Sequence, residues 1–287
     1  MRNTTVAVLG GDVRMYYAAQ TLQDLGYDIF TWGILKAGEQ SCKTIEEAVQ
    51  SANVLVLPLP FSKDGVHLNT DEGVWEQIRL DYLLHLATGK QILGGRLSEA
   101  FLTQAEREGC HCADYFESEV LQYKNALPTA EGAIEIAMRE LPVVLDGTEC
   151  AVIGYGRIGE LLAQKLLALG AHVCVYARRE TARLRAELLH CETVDLAKHE
   201  GSIRFGKNVR VIFNTVPERI MKRESLQQLS SESLIIDLAS APGGVDVTAA
   251  KELGVPLIWA TALPGKCAPE SAGIIVGQTL HAILEEG

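Results

Sequence analysis

A 26-residue stretch near the start of this chain reappears 144 positions later. Residues 8–33 read VLGGDVRMYYAAQTLQDLGYDIFTWG, and residues 152–177 read VIGYGRIGELLAQKLLALGAHVCVYA. Seven positions are identical, Gly10/Gly154, Gln20/Gln164, Leu25/Leu169 and Gly26/Gly170 among them. Each copy opens with a short apolar strand (Val6–Leu9; Ala151–Ile153) that runs into glycine. In the second copy Ile158, Leu161, Leu162, Leu166 and Leu169 then recur at helical spacing and predict one buried stripe. Gly26 and Gly170 stop the helix before the next strand, Ile29–Trp32 or Val173–Tyr176. A β-α-β unit needs a parallel sheet and a crossover helix, so two copies predict two such sheets. A chance likeness between the copies would still leave both as α/β. The chain has 287 residues, enough for two domains at about 150 residues each. The predicted fold class is α/β: two Rossmann-like parallel-sheet domains joined by hinge helices, with a cleft between them. Residues 1–125 plus 268–287 would form one domain and 126–267 the other.

The copies differ where a ligand would sit. The second carries Gly154-Tyr155-Gly156-Arg157-Ile158-Gly159, a GxGxxG between a strand and a helix. Gly154 permits the tight turn, Gly156 lets a pyrophosphate approach the backbone, and Gly159 lets helix and strand pack closely. Phosphates would then lie at the positive end of the helix. The first copy has Asp12 in place of Gly156 and Met15 in place of Gly159. A carboxylate there repels a dinucleotide and leaves that half free for the other reactant. The strand after the glycines ends Val175-Tyr176-Ala177-Arg178-Arg179, without the acidic residue that holds the ribose in NAD enzymes. Arg178 and Arg179, with Arg157 from the turn, suit a 2′-phosphate, so the expected cofactor is NADP. The bland alternative for these arginines is solvated surface charge.

Val209–Phe213 runs into Asn214-Thr215-Val216-Pro217, and Leu234–Ile236 runs into Asp237-Leu238-Ala239-Ser240. Ligands of open α/β sheets collect at strand carboxyl ends, so Asn214, Thr215, Val216, Asp237 and Ala239 should edge the nicotinamide. In the first half Asn53–Leu57 precedes Pro58-Leu59-Pro60, and Gln91–Leu93 precedes Gly94-Gly95-Arg96. Pro128 can start a hinge helix that continues through Ala133–Arg139. Ala262–Pro269 reads as a Pro/Gly-rich loop before a final helix from about Ser271 to Glu285.

Charge excludes one class of partner. Lys plus Arg is 26 and Asp plus Glu is 37, and 26 − 37 gives −11. Nucleic acid binding needs clustered cations to neutralise phosphates, so none is expected. No run approaches the roughly 18 apolar residues of a membrane helix. Met1-Arg2-Asn3-Thr4-Thr5 enters a strand-like run at once and predicts no signal peptide. The seven cysteines read as reduced structural thiols of a cytoplasmic protein. Cys110-His111-Cys112 alternates along a strand and lacks a second ligand pair, so no metal is expected.

Together these residues resemble a known family, the dipicolinate synthase A subunits of spore-forming bacteria. The resemblance rests on Gly10-Gly11-Asp12 with Arg14, and on Asn125-Ala126 with Pro128-Thr129-Ala130-Glu131-Gly132. It extends through Gly154 to Gly159 and Asp237-Leu238-Ala239-Ser240 with Pro242-Gly243-Gly244. It closes on Leu263-Pro264-Gly265-Lys266 with Ala268-Pro269 and Ala272-Gly273. Alanine dehydrogenase and the 2-hydroxy-acid dehydrogenases are more distantly similar. The resemblance implies oxidation of dihydrodipicolinate, a branch product of the lysine pathway, to pyridine-2,6-dicarboxylate with NADP⁺. It also implies a place in the mother cell during sporulation and a partner, a flavoprotein-like B subunit. Self-association stays open.

A dicarboxylate needs cationic or donor-rich clamps. Arg14, Arg96 and Lys266 are the candidates, with Thr129 of the hinge motif added by the resemblance; a solvated surface charge is the alternative for each cation. Loss of a hydride and a proton also calls for a base, for which Glu131 and Asp12 are candidates. Equally, Glu131 can pin the hinge helix and Asp12 can cap its own. Two other functions compete: a dehydrogenase of another keto or amino acid, disfavoured because no histidine pairs with a carboxylate in the expected loops, and a non-catalytic NADPH-binding subunit.

Overall fold

Val6–Leu9 and Val54–Val56 are continuous apolar runs, the pattern of strands buried on both faces of a parallel sheet. The computed structural model, which describes residues 4–34, 41–70, 77–199 and 202–286, places both at the centre of one. The chain divides into two units, residues 1–125 with 268–287 and residues 126–267. In the first, β1 (Thr5–Leu9), β2 (Asp28–Trp32), β3 (Val54–Val56), β4 (Gln91–Gly94) and β5 (His111–Asp114) form a parallel sheet. Its order is β2-β1-β3-β4-β5. The first three positions of the N-terminal run lie outside the described residues.

Alternation along the strands splits the core into two layers. Ala7, Leu9, Leu55 and Ile92 pack against α2 (Ile45–Ser51), α3 (Leu80–Leu86) and α4 (Glu99–Arg107). Val6, Val8, Val54 and Leu93 pack against α1 (Val13–Asp24) and α11 (Pro269–Glu286), the chain's last helix. The fully buried Leu22 and Leu280 each contribute about 1.5–3 kcal/mol. The two helices approach closely because a Cβ at Gly273 would lie 2.4 Å from the Arg14 carbonyl oxygen.

The second unit holds β6 (Glu149–Ile153), β7 (His172–Ala177), β8 (Glu192–Asp195), β9 (Val211–Asn214), β10 (Leu234–Asp237) and β11 (Leu257–Trp259). These form a parallel sheet of order β11-β10-β9-β6-β7-β8. One face is covered by α5 (Glu119–Glu140), α6 (Arg157–Ala168) and α7 (Glu180–Leu188), through Ala133, Ala137, Leu162, Leu166 and Ala186. The other meets α8 (Arg223–Leu226) and α9 (Val247–Leu253) through Leu226, Ala249 and Ala250. In both sheets chain order reverses beside the first strand, at β1/β3 and β6/β9, the switch point where ligands of such sheets bind.

Two local expectations are corrected. Pro128 does not start the hinge helix; it lies inside α5, which begins at Glu119. Ser118 Oγ accepts the Leu121 amide at 3.3 Å and starts the helix instead. The proline removes one helix bond, while Ala130, Ala133 and Ala137 beyond it are fully buried. The segment read as a terminal loop contains a short helix, α10 (Leu263–Cys267). Leu263 and Pro264 are buried, and a proline in a first helical turn forfeits no intrahelical bond.

Candidate functional site

The glycines of the second repeat each meet a different steric demand. Gly154 has φ +90°, and a Cβ there would fall 2.3 Å from Thr215 Oγ1. That hydroxyl donates to the Ile153 carbonyl at 2.9 Å, which ties the β6 and β9 ends together. A Cβ at Gly159 would sit 2.1 Å from the Gly154 carbonyl oxygen, so α6 starts directly against the turn. Gly156 differs: its backbone is extended, and nothing lies within 4 Å of its Cβ position. It is the N-cap of α6 and offers no side-chain acceptor. The first amides of the helix are therefore left to water or to an anionic ligand. This cradle fits a dinucleotide pyrophosphate. Arg157 is exposed beside it, and Ile158 packs partly buried on the core.

At the end of β7, Arg178 is exposed and forms an ion pair with Glu218 from the loop after β9. That contact holds the Glu218 carboxyl below its usual range. Arg179 is the exposed N-cap of α7 and makes no ion pair among the described residues. Arg183 was not anticipated. Its Nη1 donates to the carbonyls of Ala177 (3.0 Å) and Arg178 (2.8 Å) and pairs with Asp195 at 3.1 Å. It braces the strand end from the first turns of α7, and nothing in a helical run of sequence announces that role.

The loops after β9 and β10 are locked to one another. Asn214, fully buried, donates to Asp237 Oδ1 at 2.8 Å and to the Val216 carbonyl at 3.0 Å. Asp237 accepts the amides of Ala239 at 3.1 Å and Gly244 at 2.9 Å. Trp259 Nε1 donates to the Ala239 carbonyl at 2.9 Å. The side chains of Asn214 and Asp237 thus shape the loops that carry Thr215, Val216 and Ala239.

In the first unit the equivalent helix end is already filled. Asp12 caps α1 by accepting the Arg14 amide at 3.0 Å. Its carboxylate also takes a two-pronged contact from Arg14 Nε and Nη2, both at 2.8 Å. Arg14 Nη2 donates further to the Leu59 carbonyl at 2.6 Å, while Nη1 has no partner among the described residues. Arg96 stands at the β4 carboxyl end, exposed, with φ +60° and its guanidinium 4.7 Å from the Phe116 ring centroid. Asp114 holds this turn by accepting the amides of Arg96, Leu97 and Phe116 at 3.0, 2.7 and 2.8 Å. A left-handed arginine costs about 1–2 kcal/mol, and such strain collects at functional sites.

Several expectations change here. A histidine does pair with a carboxylate: His67 Nδ1 lies 2.7 Å from Asp64 Oδ2 on the loop after β3. That contact, with the amides of Val66 and His67, holds Asp64 far below its usual range. The same loop supports the β1 turn, since the Gly11 amide donates to the Asn69 carbonyl at 2.7 Å. The pairing is local: Asp64 and His67 lie three positions apart, and the Asp64 carboxylate gathers the Val66 and His67 amides at 2.8 Å each to fold the loop around it. Glu131 does not reach the glycine turn. It is exposed and pairs with Lys165 at 2.8 Å, about 12 Å along α6 from its start at 1.5 Å per residue. Because α5 begins at Glu119, Glu131 is mid-helix and does not pin a helix N-terminus. Lys266 is exposed on α10, and Thr129 is half-buried on α5. Cys267 Sγ, 3.4 Å from the Pro128 carbonyl, packs α10 on the helix turn that carries Thr129. Cys110 is buried with its thiol toward the Leu84 and Ala87 carbonyls, and among the described residues no cluster of metal-ligating side chains occurs. Likewise, among them no helix is long and apolar enough to cross a membrane.

Residues 130–246 match the NAD-binding domain family of the D-isomer specific 2-hydroxyacid dehydrogenases. Fold and glycine cradle together define an oxidoreductase of the nicotinamide-dependent dehydrogenase class. Residues 5–116 match the family of the N-terminal domain of the dipicolinate synthase A subunit. The chain is 30% identical to the dipicolinate synthase A subunit of Bacillus subtilis (strain 168), over 98% of this chain and 96% of that one. It belongs to the family of dipicolinate synthase A subunits. The crystal structure of the Bacillus halodurans member superposes with a TM-score of 0.88 at 27% identity, covering 99% of each chain. An L-alanine dehydrogenase shares the fold, with a TM-score of 0.67 at 15% identity over 96% of this chain and 88% of that one.

Proposed function

We propose that this chain oxidises dihydrodipicolinate to dipicolinate, a branch from the lysine pathway, during sporulation in the mother cell. Residues 126–267 would bind NADP, which accepts the hydride, and residues 1–125 with 268–287 would hold the substrate. A flavoprotein-like B subunit is the proposed partner. The observation that carries this reading is the contrast between two sibling helix ends. Gly156 leaves open space before an uncapped helix, whereas Asp12 fills and caps its own.

Family membership supports the substrate, and the chemistry of the first unit suits it. Arg14 Nη1 and the strained Arg96 offer cationic contacts for two carboxylates; Lys266 and Thr129, which belong to residues 126–267, are further candidates. Asp12, held by Arg14 through both carboxylate oxygens and capping α1, is not the candidate favoured as proton acceptor. His67 suits that role better: Asp64 fixes its Nδ1 and leaves Nε2 directed elsewhere. The hydride leaves with its electron pair, the proton passes to His67 and then to water, and the ring becomes aromatic.

The test is NADP⁺ reduction, followed at 340 nm, with dihydrodipicolinate generated in situ, with and without the B subunit. Reduction that depends on the dicarboxylate supports the proposal. NADPH binding without turnover under either condition replaces it with the non-catalytic reading. The Asp64–His67 pair also suits a dehydrogenase of another keto or amino acid, for which turnover of such acids but not of the dihydropyridine would decide.

A further inference from the structure

NAD-binding sheets of this kind carry an acidic residue about 20 positions beyond the glycines, on the ribose hydroxyls. This chain has Arg178-Arg179 there, but an acid reaches the same place through space. Glu218 follows β9, Arg178 follows β7, and β6 lies between those strands in the sheet. Their ion pair therefore spans the carboxyl end of the strand that leads into the glycine turn. It is fork-shaped: Nη2 meets Oε2, and Nη1 lies 3.4 Å from Oε1.

We propose that Glu218 sets the strength of the preference for a 2′-phosphorylated dinucleotide, by competing with that phosphate for the Arg178 guanidinium. The proposal rests on the reading of this unit as the NADP site and names a determinant that the reading alone does not contain. Both side chains are more than half exposed, at 52% and 61%, and an exposed pair of this kind is easily opened. A phosphate carries about −1.5 to −2 charges and three acceptor oxygens, so it is the stronger partner for a guanidinium. Its arrival exchanges one anion for another and leaves Glu218 beside a dianion. A cofactor with a 2′-hydroxyl displaces nothing and can donate to the carboxylate. Arg183 holds the Ala177 and Arg178 carbonyls, so the exchange moves side chains and not the strand end.

The experiment titrates the full chain and Glu218→Gln with NADPH, NADH, 2′,5′-ADP and 5′-ADP, with a thermal melt to confirm folding. The substitution keeps the size and removes the charge. NADPH and 2′,5′-ADP should bind about three- to fivefold more tightly to the variant, the range of one exposed charge interaction. The gain should shrink in high salt, and NADH and 5′-ADP should change less than about 1.5-fold. Wild-type preference for NADPH with no gain in the variant overturns the competition alone. Wild-type preference for NADH, weakened in the variant, makes Glu218 a ribose ligand and overturns the NADP reading with it.

Discussion

Replacing Gly156 by alanine separates the binding role of the glycine turn from its structural role. The backbone there has φ −92° and ψ −160°, open to any residue, and the new Cβ would meet nothing within 4 Å. Folding should hardly notice. The unfolded chain loses entropy worth about 0.4–1 kcal/mol, and alanine is a poorer N-cap than glycine by a similar amount. The net is within about 1 kcal/mol, or roughly 2–4 °C in melting temperature. Binding is another matter, since on the proposed reading the methyl group enters the space of the pyrophosphate. Losing or lengthening one hydrogen bond to a charged group costs about 1.5–3 kcal/mol, which is roughly a 10- to 100-fold rise in Kd. Fluorescence titration with NADPH and a thermal melt on the same samples measure both. Gly159→Ala is the control. Its Cβ would collide with the Gly154 carbonyl oxygen at 2.1 Å, so it should destabilise by about 1–3 kcal/mol or more. Wild-type NADPH affinity in Gly156→Ala would refute the placement of the phosphates, and wild-type stability in Gly159→Ala would refute the packing.

Arg178→Ala should erase most of the preference for NADPH over NADH in the same titration; an unchanged ratio removes the arginine from the 2′-phosphate site. His67→Gln should lower kcat for the dihydropyridine about 100-fold with little change in KM, and an unchanged kcat returns the base to another group. Burial pushes the Cys150 thiol up to about 12 and the Cys112 and Cys174 thiols up to about 11, from an ordinary 9.0. Between about pH 9 and those values the unfolded chain releases protons that the folded chain keeps. Stability is therefore full below about pH 9 and falls as pH rises from there to about 12. Urea melts at pH 8 and pH 10.5 check the sign, and a midpoint that holds or rises at the higher pH contradicts it. In the native state a thiol reagent should label the exposed Cys267 well before Cys150.

The central strands were legible because burial on both faces makes them unbroken apolar runs, and the repeat marked the first strand of each sheet. β8, an ETVD edge strand, was not, because an edge half-open to water keeps polar residues that hide its pattern. The glycine turn was legible because Gly154, at φ +90°, and Gly159, packed on the Gly154 carbonyl, stand where a side chain would collide, and their spacing marks the turn. Asp64–His67, Arg178–Glu218 and the Arg183 brace were not. Each depends on where a loop or helix turn lands, and 40 residues separate Arg178 from Glu218. Glu131 was misplaced for a related reason. A proline in the sequence marks a helix start only if the residues before it cannot propagate one, and Glu119–Leu127 can.

The two repeats also differ in how each treats the anion site at the start of its first helix. Both helices have 12 residues and follow a glycine turn at the end of the first strand of their sheet. An uncapped helix end attracts an anion whatever its source. In the first unit the anion is internal: Asp12 takes the amide, and Arg14 neutralises it from the same helix turn. A second change closes the space itself. Met15, at the position of Gly159, is only 2% exposed, and its Cγ lies 2.5 Å from where a Gly11 Cβ would be. Removing the Asp12 carboxylate would restore the charge environment but not the room. Among the described residues, Nη1 of the arginine that neutralises Asp12 has no partner. Under the proposed function, Asp12 and Met15 turn the dinucleotide away and Arg14 remains to meet a small carboxylate, which is how the halves of so similar a fold would divide the work.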